Sequence, residues 1–92
     1  MQTWRKYVER YSVLCVSDGT YGLKLKSGVA EDAIRTILNR SEILEKVDNQ
    51  YYRVKFKGIE IVIFKPTGTV ILVALAEKYE RLEEFLDELF KP

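Results

Sequence analysis

Tyr51, Arg53, Lys55 and Lys57 fall two residues apart in one short run. That spacing puts all four on one face of a strand. A basic row beside an aromatic ring suits phosphate or an acidic protein surface. The same row also serves as a solvated edge that resists aggregation. Lys24 and Lys26 repeat the pattern on a smaller scale and read as edge protection. Trp4, Tyr7 and Tyr11 cluster near the N-terminus, where they read as docking residues rather than a ligand cage. The chain has a single cysteine and no histidine, so no Cys–His pair can form. Cys15 sits in an apolar stretch and reads as a buried structural thiol. Gly19, Gly22 and Gly28 are spaced for turns, not for a phosphate-cradling loop. Glu80, Glu83, Glu84, Asp87 and Glu88 lie opposite an apolar helical stripe and read as a solvated face. These residues lead to the expectation of no enzymatic activity, no cofactor and no metal site.

The elements that must position these side chains centre on Tyr51–Ala76, which reads as three consecutive strands: Tyr51–Lys57, Ile59–Lys65 and Thr69–Ala76. Gly58 and Pro66–Thr67–Gly68 punctuate them. The first strand alternates, with Tyr52, Val54 and Phe56 opposite the basic row. The next two are apolar on both faces, and such strands need cover on both faces.

Upstream, Gln2–Tyr11 reads as a short helix with Trp4, Val8 and Tyr11 on one face, although the same residues can also open the next strand. Ser12–Ser17 and Tyr21–Lys26 form a hairpin across Asp18–Gly19. The second of these, with Leu23 and Leu25 inward and Lys24 and Lys26 outward, reads as an edge strand. Ser27 is placed to cap a helix running to about Val47, with Glu31 and Asp32 in its first turn. Ala30, Ala33, Ile34, Ile37, Leu38, Leu44 and Val47 form its apolar stripe; Ser41 falls inside the stripe and Ile43 off it. A last helix from Glu77 to about Phe90 carries Tyr79, Leu82, Phe85, Leu86, Leu89 and Phe90.

The expected architecture is therefore α+β, an α/β sandwich in the order α-β-β-α-β-β-β-α. It has one antiparallel five-stranded sheet with helices on both faces. A single middle helix, about 27 Å long and about 10 Å wide, leaves the margins of a sheet face open, so a second copy or a partner is expected to complete the cover.

Ninety-two residues make a single domain spanning 1–92. Fifteen basic and fourteen acidic residues give a net charge of +1, which provides no global pull toward nucleic acid or an anionic membrane. The 32% charged content, without histidine, leans toward a thermophilic source. No apolar run approaches the roughly 18 residues of a membrane span, and no signal peptide is visible, so a cytoplasmic protein is expected.

Three stretches together resemble the roadblock family, the dynein light-chain type domain that includes bacterial and archaeal regulators of Ras-like GTPases. They are the Ser12–Lys26 hairpin, the turn Lys65–Pro66–Thr67–Gly68–Thr69 leading into Val70–Ala76, and the helix placement on either side. The likeness covers nearly the whole chain and suggests a small, archaeal-like member with a roadblock/profilin-like fold. It implies a non-enzymatic scaffold, paired with itself or with a related roadblock chain, that binds a small Ras-like GTPase and modulates its nucleotide state or location. Under the resemblance, dimer contacts fall on Ala30, Ala33, Ile34, Ile37, Leu38 and Ser41 of the middle helix. Tyr51, Arg53 and Lys55 fall on a strand that joins two sheets. The exposed charges Arg35, Arg40 and Lys57 are the candidate partner contacts. The last two-thirds of the chain, strand–helix–strands–helix, also looks like half of a TATA-binding protein, whose sheet lies in the DNA minor groove. The near-zero net charge argues against that nucleic-acid reading. A structural subunit of a larger assembly is the third alternative.

Overall fold

The computed structural model describes residues 3–91. Six strands form one antiparallel sheet: β1 (Val8–Cys15), β2 (Thr20–Leu25), β3 (Glu42–Val47), β4 (Tyr51–Phe56), β5 (Ile59–Phe64) and β6 (Thr69–Leu72). Their spatial order is β1-β2-β6-β5-β4-β3. Two α-helices accompany them, α1 (Ala30–Arg40) between β2 and β3, and α2 (Leu82–Leu89) after β6. Short 3₁₀ turns occupy Thr3–Lys6, Ser27–Val29 and Leu75–Glu77. The α+β class agrees with the sequence reading; the inventory differs by one strand more and one helix fewer.

The turns follow local chemistry. Asp18 Oδ1 accepts from the Thr20 N–H at 3.1 Å and the Thr20 hydroxyl at 2.8 Å. Gly19 takes φ +71°, so Asp18–Gly19 closes the first hairpin as its sequence suggests. Lys57 and Gly58 both have positive φ, the pairing a two-residue hairpin loop of matching twist requires. The Asn49 turn joins β3 to β4 in the same left-handed region.

Four segments differ from the sequence reading. The N-terminal helix is a single 3₁₀ turn, and Val8 already belongs to β1; the expected start at Gln2 lies outside the described residues. The middle helix stops at Arg40. Ser41 turns extended, its Oγ donating to the Ile37 carbonyl at 2.6 Å, and Glu42–Val47 becomes β3. Ile43 and Val47 are β-branched and suit a strand. Ser41 inside the apolar stripe and Ile43 outside it marked this break. Ser27 caps nothing: it opens a 3₁₀ turn, and no side-chain cap bond is made there. Finally, the chain leaves β6 at Leu72, Ala74 in the left-handed region starts a 3₁₀ turn, and the last helix begins at Leu82 rather than at Glu77, so Tyr79 precedes it.

The larger correction concerns layers. Both helices lie on the same face of the sheet. Leu23, Leu25, Tyr52, Val54, Ile59, Ile61, Ile63, Val70 and Leu72 point to that side. They form one buried cluster with Ala33, Ile34 and Ile37 of α1 and Leu82, Phe85, Leu86 and Leu89 of α2. Phe56 meets Phe85 edge-on at 5.8 Å between ring centroids, tying α2 to β4. Trp4 and Val8 seal the N-terminal corner, and Tyr7 stacks on Phe90 at 5.1 Å. Two helices side by side cover the four central strands on one face, while the edge strands reach past them and leave Tyr11, Val13 and Ile43 exposed; among the described residues, no helix lies on the other face.

Candidate interaction face

The uncovered face is built by strand parity. In β5, Glu60, Val62 and Phe64 alternate with the buried isoleucines. Register carries this alternation across the sheet: Val62 pairs with Arg53 and Ile71, and Phe64 with Tyr51 and Thr69. Ile71 in turn pairs with Gly22, and Thr69 with Lys24. At the edges, Ser12 and Arg10 pair with Gly22 and Lys24, while Glu45 and Val47 pair with Arg53 and Tyr51. Leu14 lies over Gly22, with its Cδ1 3.1 Å from where a Cβ on that glycine would stand.

An apolar band therefore crosses the face obliquely from β1 to β3, through Leu14, Ile71, Val62, Phe64, Tyr51 and Val47. Leu14 is 56% exposed, Phe64 37% and Val47 36%; Ile71, Val62 and Tyr51 are partly exposed. Tyr51 and Phe64 face one another with centroids 6.3 Å apart. Beside Leu14 and Gly22 lies an open hollow of about 230 Å³, walled by Arg10, Ser12, Lys24 and Thr69.

Charge divides the two margins of the band. On one margin stand Arg10, whose Nη1 lies 2.6 Å from Glu9 Oε2, and Lys24, whose ammonium donates to the Thr67 carbonyl. On the other stand Glu42, Glu45 and Glu60, with Arg53 and Lys55 among them. Arg53 Nε sits 3.6 Å from Glu60 and 3.9 Å from Glu45. The guanidinium is thus held between two carboxylates and contributes little free positive charge to the face.

The residues singled out in the sequence are scattered by this geometry. Ala33, Ile34 and Ile37 are buried in the protomer's own core, Ile37 completely, so they offer no surface to a second helix. Ala30 and Leu38 flank that core, and Ser41 ends the helix. Tyr51, Arg53 and Lys55 do lie on one face as expected, but β4 is interior, paired to β3 and β5, and cannot join two sheets by its edge. The expected edge strand Tyr21–Lys26 is interior too, lying between β1 and β6. The three candidate contact cations are engaged on the other side of the molecule. Arg35 Nη1 lies 3.0 Å from Asp32, Arg40 donates to the carbonyls of Glu88 and Leu89 at the end of α2, and Lys57 donates to Glu88 at 2.9 Å. Cys15 is exposed, not buried, because β1 is an edge strand; its Sγ lies 3.2 Å from Ser17 Oγ. Sequence reasoning missed Val47 and Leu14 as surface residues, since apolar side chains carry no mark of the face they take until register is known.

Lys57, Glu88 and Tyr79 form a linked polar group at the rim of the helical layer. Glu88 Oε2 accepts from the Tyr79 hydroxyl at 2.8 Å. The Lys57 hydrogen bond, followed by that from Tyr79, holds the Glu88 carboxyl below its ordinary value. Burial first, then the hydrogen bond and charge of Glu88, push the Tyr79 hydroxyl up to about 12. Each partner is used by another, so the group reads as a tie between the β4–β5 turn and α2.

Among the described residues, no group of three or more His, Cys, Asp and Glu side chains comes together, and no helix is long and apolar enough to cross a membrane. The chain matches no protein-family model, no curated protein and no solved structure.

Proposed function

We propose that the chain is a non-enzymatic protein-interaction module whose working surface is the open face of its sheet. The observation that carries this reading is the apolar band running from β1 to β3 on the side without helices. A continuous apolar patch on a small protein marks an interaction surface more often than it marks nothing. The small Ras-like GTPase implied by the roadblock resemblance would not meet the apolar stripe of α1 or an edge of β4, because the stripe is buried in the protomer's core and β4 is paired on both sides.

One observation favours a second reading. The run β2–α1–β3–β4–β5–β6–α2 repeats the strand–helix–strands–helix order of the TATA-binding half, and its sheet face is open. Against it stand three carboxylates on that face and the capture of Arg53 by two of them, where a phosphate-binding surface needs free cations.

The test is accessibility of the face in the working assembly. With a soluble paramagnetic agent and methyl-detected NMR, Val62 and Ile71 should be shielded when the protein sits on a protein partner. They should be accessible in the isolated protomer. Methyls that stay accessible in every assembly would end the proposal. Duplex DNA bound at the face, with affinity falling steeply with salt, would replace it.

A further inference from the structure

Resting on the open face as the working surface, we propose that its occupant is a second copy of this chain, packed face to face about a twofold axis along the apolar band. The band is oblique to the strands, and this is what makes the face self-complementary. An axis along the band lays Leu14, Val62 and Phe64 against the same band of the other copy. It also exchanges the two margins. The Arg10–Lys24 margin of each copy then lies toward the Glu42–Glu45–Glu60 margin of the other. Lys24 is turned toward Glu60, whose margin carries more carboxylates than cations.

Area permits the same occupant. Six strands at about 4.8 Å spacing and about 3.3 Å per residue outline roughly 580 Å² when flat. The accessible area of a corrugated surface is larger, and a standard stable interface takes about 800 Å² per partner. The molecule measures 31 × 28 × 21 Å, with one broad side to offer.

The sheet edges are the competing sites, and they are poorly suited. β1 carries register shifts between Val8 and Arg10 and between Val13 and Cys15, and β3 carries one between Ile43 and Glu45. The interior pairings β2–β6, β4–β5 and β5–β6 are unshifted. Bulges at an edge deter the addition of a further strand.

The experiment is light scattering and analytical ultracentrifugation across a concentration series, with circular dichroism to confirm folding. The wild type should dimerise, and Val62→Glu should weaken the dimer by at least about tenfold, as a charge at the centre of an apolar interface does. Lys24→Glu should weaken it by about threefold, more at low salt. Lys24→Glu with Glu60→Lys should recover most of that loss, which a merely unfolded variant would not do. A dimer that Val62→Glu leaves intact, or that Ile43→Glu at the β3 edge breaks instead, would overturn the proposal. A wild type monomeric at every concentration would also overturn it, while leaving the face to a different protein. Shielding of Val62 and Ile71 by such a protein would preserve the broader reading; its absence would sink both.

Discussion

The two faces of the sheet share apolar residues along the middle strands, yet they do different things. In β5, Ile61 and Val62 are neighbours of nearly equal hydrophobicity. Ile61 is completely buried under the helices, whereas Val62 looks out from the open face. One face is closed by this chain's own α1 and α2. The other carries an apolar band between charged margins and is left without a cover. The lesson is that apolar strands on both sides state a need for burial without saying which molecule supplies it.

The most direct way to break this comparison is to truncate the two neighbours. Ile61→Ala should cost about 2–5 kcal/mol of unfolding free energy by urea denaturation, as a large core deletion does. Val62→Ala should cost less than about 1 kcal/mol in the dilute protomer, where the side chain is only partly covered. Comparable losses would mean that the open face is covered even in the protomer. A second contrast concerns the joint that holds the covered layer to the first hairpin. A Cβ at Gly19 would stand 2.4 Å from Ala76 Cβ, at φ +71°. Gly19→Ala should therefore destabilise by about 1–3 kcal/mol, and thermal melting would reveal it.

The smallest expected effect lies at the rim of the covered side, in the Tyr79–Glu88–Lys57 tie. The raised Tyr79 value means that the folded protein favours the neutral phenol. Its stabilisation is whole below the ordinary value of 10.0 and is lost as pH rises through about 12. Glu88, with a lowered value, has the opposite sign: its stabilisation is present above the ordinary carboxylate range and disappears as pH falls through the folded value. A spectrophotometric tyrosine titration should show a late-titrating phenol that Tyr79→Phe removes. The accompanying change in stability should be below about 1 kcal/mol. A titration unchanged by Tyr79→Phe would refute the tie.

Much of the fold was legible where local chemistry acts alone. Asp18–Gly19, Gly58 and the alternation of Tyr52, Val54 and Phe56 announce their turns and strand directly. The apolar stripe of the C-terminal helix identifies Leu82, Phe85, Leu86 and Leu89 as core. The boundary at Ser41 was harder, because Leu44 and Val47 continue the helical period by chance, and the strand they belong to is stabilised only by β4 beside it. The side of the sheet taken by α1 was not legible at all. Ala33, Ile34 and Ile37 require burial, but nothing in their spacing selects the face shared with α2 over the opposite one. The row Tyr51, Arg53 and Lys55 was read correctly as sharing a face. Its role was not, because whether β4 is an edge depends on β3, whose formation the helical reading had removed.

The sheet order has a consequence for the sequence of events in folding. β1–β2 is a local hairpin, and β3–β4, β4–β5 and β5–β6 are joined by tight or short turns. One ladder alone, β2 with β6, connects these two parts of the sheet, pairing Tyr21 with Leu72 and Lys24 with Thr69 across about half the chain. Closing so long a loop costs more chain entropy than forming any hairpin. The topology thus implies two locally assembled pieces and a late seam between them. Until that seam closes, Leu23 and Val70, both buried in the finished protein, lack the strand neighbours they meet across it.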